Sequence, residues 1–339
     1  MRLLLIGFGT VGRGLAELLV KKREILKGCY GFEGKVVGIA DMKLGSLHDP
    51  AGIDLEAAVR AAEEKGSLAG LPGAFDGDAL ALIGAAEADC AVEMTYTDIQ
   101  TGEPATGHVR AALDRGMHVA TTNKGPVALH LPELTAKAAE KGVRFLYEGT
   151  VMSGTPVLNM VRETLAGCAI TEVKGILNGT TNYILSKMEE GMDYEAALLK
   201  AQELGYAEAV PDADVLGWDA LGKVTILANA VFGAKKKPDD FPCEGITGIS
   251  AEMVADAKAR GKRYKLIGRV AVENGETVGS VGPEEVDLSH PLAGVMGAVN
   301  ALTFTTDALG DVTVVGPGAG RVETGYSALI DILHAGGLR

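Results

Sequence analysis

Apolar residues in the first half of the chain fall into short runs bounded by polar or glycine residues, separated by longer stretches with apolar residues at helical spacing. The runs LLLIG (3–7), KVVGIAD (35–41), DCAVEMT (89–95), MHVATT (117–122) and VRFLYE (143–148) read as strands buried on both faces, as in a parallel sheet. Segments 11–26, 106–115 and 132–141 read as the helices between them, the last opened by Pro132, a residue suited to a first helical turn. Alternating strand and helix predict an α/β fold with an N-terminal doubly wound parallel sheet.

Beyond about residue 150 the pattern changes. A helix is expected over 156–165, a strand over 170–177, two helices across 180–204 broken at Gly191, a helix ending near Gly233, another over 250–260, and more strands after Lys265. The tail GPGAGRVETGYSALIDIL is a glycine loop feeding an amphipathic helix. The expected organisation is a first domain over 1–150, completed by 318–339, and a second α/β region over 151–317.

Composition narrows the class. With 47% hydrophobic and 23% charged residues the chain is globular, and its net charge of −13 excludes a basic surface for nucleic acid or anionic membranes. Any phosphate must therefore be held locally, by backbone amides and a few placed cations. Cys29, Cys90, Cys168 and Cys243 are too scattered for a zinc or redox pair and read as reduced thiols, which implies a cytoplasmic setting. The N-terminus MRLLLIGFG is too short in apolar residues for a signal peptide, and no run reaches the roughly 18 that a membrane span needs.

Gly7-Phe8-Gly9-Thr10-Val11-Gly12 follows a predicted strand and opens a predicted helix, the context in which G-x-G-x-x-G binds a dinucleotide. Its glycines permit a tight turn and close approach to a pyrophosphate at a helix N-terminus, making the first domain Rossmann-type. Asp41, closing the second predicted strand, suits an adenosine ribose and NAD, whereas Lys43 two residues on suits a 2′-phosphate, so NAD and NADP both stay open. The spacing from Gly12 to Asp41 exceeds the usual twenty or so residues, implying an extended first helix and loop. Thr121-Thr122-Asn123-Lys124-Gly125 ends another predicted strand, where Lys124 can face both nicotinamide and a substrate oxygen, or simply solvent.

The segment GYAEAVPDADVLGWDALGK (205–223) places Glu208, Asp212, Asp214, Asp219 and Lys223 beside the only tryptophan. From Gly217 to Ala234 the only charges are Asp219 and Lys223, and apolar residues cover every side of the helical wheel, so the helix is buried. At i and i+4 the two charges share a face. Because a buried ion pair is a weak stabiliser, the pair points to chemistry: a lysine in a partly dry site exchanges protons, with an aspartate to orient it. The preceding carboxylates suit a substrate ammonium, with helix capping by Asp212 or Asp214 as the plainer alternative.

These residues carry a resemblance to the homoserine dehydrogenase family: GFGTVG at the start, TTNKG at 121–125, KGILNGTTNYIL at 174–185, and A-x3-G-Y-A…P-x2-D-V-x-G-x-D-x3-K over 201–223, in order along essentially the whole chain. The resemblance implies reversible NAD(P)H-dependent interconversion of L-aspartate 4-semialdehyde and L-homoserine, on the route to threonine and methionine. The first domain would then bind nucleotide, and region 151–317 substrate and a second subunit, giving a homodimer. Lys223 matches the proton donor and acceptor, and Lys124 the lysine between cofactor and substrate. Glu208 and Asp219, with Asp214 nearby, match the substrate-binding acids; Gly179 and Thr180 line the substrate pocket; Thr95 and Gly320 touch cofactor. Glu148, Val151, Ser153 and Thr155 match carbonyl ligands of a monovalent cation, Na+ or K+. Val210 stands where the family usually has Asp or Asn, and the cation loop reads TVMSGT instead of an alanine- and glycine-rich form. With the last residue at Arg339, no appended regulatory domain or fused aspartate kinase is expected, and weak or absent threonine inhibition follows. Two other readings compete: a semialdehyde dehydrogenase with a nucleophilic cysteine, for which no cysteine has a fitting context, and a nucleotide-sensing regulator, which needs no buried Asp219 and Lys223.

Overall fold

β1 (Arg2–Ile6) is apolar from its second residue and fully buried there, as a central parallel strand requires. It leads into α1 (Thr10–Lys21) and α2 (Arg23–Tyr30), so the single extended helix expected over 11–26 is two helices. Lys22, at φ −101° and ψ 6°, breaks the first, and Gly31 in the left-handed region ends the second. This tandem accounts for the long spacing from Gly12 to Asp41. There follow β2 (Lys35–Asp41), β3 (Gly45–His48), α3 (Leu55–Glu64), β4 (Ala74–Phe75), α4 (Ala79–Ala85), β5 (Cys90–Glu93), α5 (Ala105–Asp114), β6 (His118–Thr121), α6 (Lys124–Glu140) and β7 (Phe145–Leu146).

This computed structural model describes residues 1–337; Leu338 and Arg339, within the completing segment expected over 318–339, lie outside the described residues. The first sheet has the order β4-β3-β2-β1-β5-β6-β7. β2, β1, β5, β6 and β7 pair in parallel and correspond to the five apolar runs, so the doubly wound sheet is present. β3 and β4 extend it antiparallel, and being short and mostly half-exposed they carry no buried-strand signal. Because β2 and β5 flank β1 on opposite sides, the topological switch point lies at the carboxyl ends of β1 and β5, where such sheets bind ligands.

Pro132 does not open its helix. α6 begins at Lys124 and carries Pro132 in its interior, because Asn123 caps it by accepting from the Gly125 amide at 3.1 Å, and Val127, Leu131, Leu134 and Ala138 bury one face. The missing amide proton of one mid-helix proline is outweighed by that packing.

The chain forms two compact units, one of Met1–Gly154 together with the segment from Gly320, the other of Thr155–Ala319. In the second unit the helix expected over 156–165 is present in shorter form, helical at Leu158 and Asn159 and continuing as a π-helical turn at Met160–Thr164. β8 (Ile170–Ile176), α7 (Gly179–Glu189), α8 (Tyr194–Glu203), α9 (Asp212–Val215), α10 (Trp218–Phe232), α11 (Ala251–Ala259), β9 (Lys262–Glu273), β10 (Glu276–Asp287), β11 (Val299–Thr306) and β12 (Gly310–Pro317) complete it. Its sheet, β10-β9-β8-β11-β12, is antiparallel throughout. α10 lies so close to it that a Cβ on Gly268 would fall 2.8 Å from Val224 Cγ2. α12 (Arg321–Ala335) belongs to the first unit and packs on α1 through glycine: a Cβ at Gly14 would fall 2.1 Å from the Arg321 carbonyl oxygen. Among the described residues no helix is long and apolar enough to cross a membrane.

Candidate active site

In the first unit the loop after β1 is shaped by close backbone approach. Gly7 has φ 93°, and a Cβ there would fall 2.6 Å from Met94 O at the end of β5; a Cβ on Gly12 would fall 2.4 Å from Gly7 O. Gly9 differs, since a Cβ there would meet nothing within 4 Å, and α1 starts with no side-chain cap. The first amides of a twelve-residue helix thus border open space, an arrangement that fits a pyrophosphate. Asp41 closes β2 and ties the loop down, accepting from the amides of Phe8 (2.8 Å), Lys43 (2.9 Å) and Leu44 (3.0 Å). Its carboxylate is thereby held at the strand end where a ribose is read. Thr10 and Val11 are the first residues of α1, Phe8 is fully buried in the core, and Lys43 is exposed.

At the ends of β5 and β6 the chain brings Thr95 and Asn123, the residue before Lys124, into one network. The Asn123 amide group donates to Thr95 O (3.2 Å) and Tyr96 O (2.7 Å), and Lys124 is the half-buried first residue of α6. Gly320 precedes α12 with φ 143°, a conformation that favours glycine. In the 148–155 segment Glu148, Val151, Ser153 and Thr155 are all buried, and Met152 (φ 57°) and Ser153 (φ 55°) are consecutive left-handed residues. Two such residues in succession turn neighbouring carbonyls out of any regular ladder. Among the described residues no group of three or more His, Cys, Asp or Glu side chains is placed to hold a metal.

In the second unit the ion pair anticipated in 217–234 is formed, with Lys223 buried and Asp219 half-buried. Lys223, 7% exposed, donates to Asp219 Oδ2 at 2.7 Å and to Leu177 O at 2.5 Å. Asn178 caps α7, its Oδ1 accepting from the Thr181 amide at 2.9 Å, while its Nδ2 donates to Asp214 Oδ1 (2.6 Å) and Asp219 Oδ2 (2.9 Å). One amide therefore bridges the two carboxylates. Burial raises the Asp214 carboxyl above its usual range and the nearby Asp219 adds to that, against the pull of Asn178, Lys223 and Thr180. Thr180, in the first turn of α7 beside Gly179, donates to Tyr206 O at 2.6 Å.

Capping is not the task of Asp212 or Asp214. Both lie inside α9, whose cap position is Pro211, and α10 starts from Gly217 at φ 86° with no side-chain cap. Asp214 is turned to Asn178 instead. Glu208 is exposed, and of its atoms the main-chain oxygen is engaged, by Gln202 Nε2 at 3.0 Å. Sequence reading passed over Asn178; its signal was an asparagine ahead of a helix, but the two acids it bridges come from other elements. The buried Cys90 thiol is pushed up to about 12, which makes it a poor nucleophile and weakens the thioester alternative.

Comparison with known proteins agrees with this geometry. Residues 7–148 match the NAD-binding domain model of homoserine dehydrogenase, and residues 156–333 the homoserine dehydrogenase model. An NAD(+)-dependent homoserine dehydrogenase of Pseudomonas canavaninivorans is 47% identical, over 98% of this chain and 95% of its own length. The homoserine dehydrogenase of Methanocaldococcus jannaschii is 40% identical over 98% of each chain. A hyperthermophilic archaeal homoserine dehydrogenase solved in complex with NADPH superposes with a TM-score of 0.85 at 30% identity, covering 100% of this chain and 99% of that one. With both regions matched in order and the dinucleotide loop and the Asp219–Lys223 pair in place, the chain belongs to the homoserine dehydrogenase family of NAD(P)-dependent oxidoreductases.

Proposed function

We propose that the chain catalyses the reversible reduction of L-aspartate 4-semialdehyde to L-homoserine, with Lys223 exchanging the proton. The observation that carries this reading is the buried lysine at 2.7 Å from Asp219 in an otherwise uncharged helix. An ammonium has three donors. Leu177 O and Asp219 take two, and the third is available to the substrate oxygen. In the reductive direction that proton goes to the developing alkoxide; in the oxidative direction the neutral amine takes it from the alcohol. Asp219 orients the amine. Lys124 supplies positive charge to the developing alkoxide. Glu208 and Asp219, with Asp214 beside them, take the substrate ammonium, a cation whose arrival favours the ionised form of the buried Asp214, and Gly179 and Thr180 line the pocket.

NAD(P)H, when bound, supplies the hydride; the Gly7–Gly12 loop and the start of α1 would hold its pyrophosphate, with Thr95, Lys124 and Gly320 as further contacts. The fixed Asp41 carboxylate disfavours a 2′-phosphate, so we infer a preference for NAD over NADP in spite of Lys43. The left-handed pair Met152–Ser153 supports a Na+ or K+ site built from the carbonyls of Glu148, Val151, Ser153 and Thr155. The same reading takes the protein as a cytoplasmic homodimer in threonine and methionine biosynthesis, without nucleic-acid or membrane partners, the last consistent with a net charge of −13.

The test is the initial rate of NADH and NADPH oxidation with L-aspartate 4-semialdehyde, run beside Lys223→Ala. A loss of about 10²- to 10⁴-fold in kcat with NADH binding retained is expected, the range for a positioned general acid. Lost cofactor affinity with near-normal turnover would remove Lys223 from this role, and the ratio of the two wild-type rates reads the cofactor preference.

A further inference from the structure

β5 reads Cys-Ala-Val-Glu, and its last residue, Glu93, is a carboxyl only 1% exposed in the middle of the first sheet. Burying a carboxyl costs several kcal/mol unless hydrogen bonds repay it, so its place needs a reason beyond folding. Its partners supply one. Oε1 accepts from the Thr95 hydroxyl and from the Thr95 amide (3.2 Å), and Oε2 accepts from the Thr121 hydroxyl (3.3 Å) on the neighbouring strand. Its main-chain oxygen accepts from Thr121 Oγ1 (3.1 Å) and the Thr122 amide (3.2 Å). Thr121 Oγ1 in turn accepts from the Asn123 amide (3.1 Å), and the Asn123 side chain donates to Thr95 O and Tyr96 O. His108 on α5 packs beside the carboxyl, its Nδ1 3.5 Å from Oε1. The next loop is pressed onto the start of α6, where a Cβ on Gly125 would fall 2.6 Å from Asp98 O.

Every link in this network ends on a segment carrying a proposed site residue: Thr95 after β5, Lys124 after Asn123. We propose that Glu93 is a positioning residue for the dehydrogenase reaction, holding Thr95 and Thr121 so that the loops after β5 and β6 keep one register and Lys124 keeps its place. The inference rests on the functional reading above. It also separates geometry from charge. A glutamine at 93 preserves the bonds: its Oε1 accepts from Thr95, and its Nε2 donates to Thr121 Oγ1, whose own proton goes to the residue 93 carbonyl. An aspartate keeps the charge but withdraws it by one methylene, about 1.5 Å, from both threonines.

The test compares Glu93→Gln, Glu93→Asp, Lys124→Ala and Glu93→Asp/Lys124→Ala in the full chain. It reads kcat and KM, NADH affinity by fluorescence titration, and melting temperature. The expected result is Glu93→Gln within a fewfold of wild type and Glu93→Asp down about hundredfold in kcat/KM, the scale of an ångström-sized misplacement, with melting close to wild type. In the Lys124→Ala background the aspartate should cost less, because the part of its effect that Lys124 carries is already lost. Glu93→Asp equal to wild type, Gln and Asp equally impaired, or fold losses that multiply in the double variant would each overturn the proposal. So would activity losses that merely follow the drop in melting temperature. Wild-type protein that binds NADH but does not turn over L-aspartate 4-semialdehyde would instead overturn the functional reading on which the proposal rests.

Discussion

Lys265 offers a test of how this fold handles a buried charge. It lies on β9, 1% exposed, and its Nζ donates to Val295 O at 2.5 Å and Asn182 Oδ1 at 2.8 Å, with Met296 Sδ at 3.5 Å. Burial lowers its pKa from 10.5 to about 8; Arg263 pushes the same way and Glu189 opposes. Between these values the unfolded chain binds the proton and the folded chain does not, so the stability linked to Lys265 rises with pH across that window. At about 1.4 kcal/mol per pKa unit, the folded state at pH 7 carries a penalty of about 3 kcal/mol that is gone by about pH 10.5. Lys265→Met keeps an unbranched stem of similar length and removes the titration. It leaves Asn182 Oδ1 one donor short, a pH-independent cost of about 1–3 kcal/mol. The assay is urea unfolding followed by the single tryptophan, Trp218, which lies in the same unit as Lys265. The difference between wild type and variant should move in favour of wild type by up to about 1.4 kcal/mol per pH unit above pH 8. The buried Cys90 thiol, pushed up to about 12, works in the opposite sense above its ordinary pKa of 9.0, but it is common to both proteins and cancels. A difference that stays flat from pH 7 to 10, or that shifts toward the variant, would refute the assignment of a strained buried ammonium.

Two further substitutions probe the sites. Asn178→Ala removes the α7 cap and the bridge between Asp214 and Asp219, so about 1 kcal/mol of stability should be lost together with about tenfold to hundredfold in kcat/KM for the semialdehyde; unchanged kinetics would show that the bridge does not order the two acids. Gly12→Ala places a Cβ 2.4 Å from Gly7 O, a backbone atom that cannot yield cheaply. NADH affinity should fall at least about tenfold, with about 1–3 kcal/mol of destabilisation; titration and melting curves like wild type would refute the close-approach argument.

The parallel strands were legible because a strand buried on both faces is apolar at most of its positions, and few other segments are. The Asp219–Lys223 pair was legible for a similar reason: a helical wheel with no polar side makes two charges four residues apart conspicuous. Local competition was harder to read. Pro132 looked like a helix start because proline fits there, yet the Asn123 cap and a buried apolar stripe carried the helix through it. The short β3 and β4 strands had too few buried residues to leave a pattern.

The dinucleotide loop, the strands of the doubly wound sheet and the pairing of Lys223 with Asp219 were determined by the sequence alone, since each is signalled by residues close together in the chain. Only the tertiary structure decided which distant groups complete them. Asn178 reaches Asp214 and Asp219 because β8 and α7 pack beside α9 and α10, and Glu93 reaches Thr121 because β5 and β6 lie side by side in the sheet. Hydrogen bonds act over about 3 Å, and no periodicity along a chain records which residues, tens of positions apart, folding will bring within that distance.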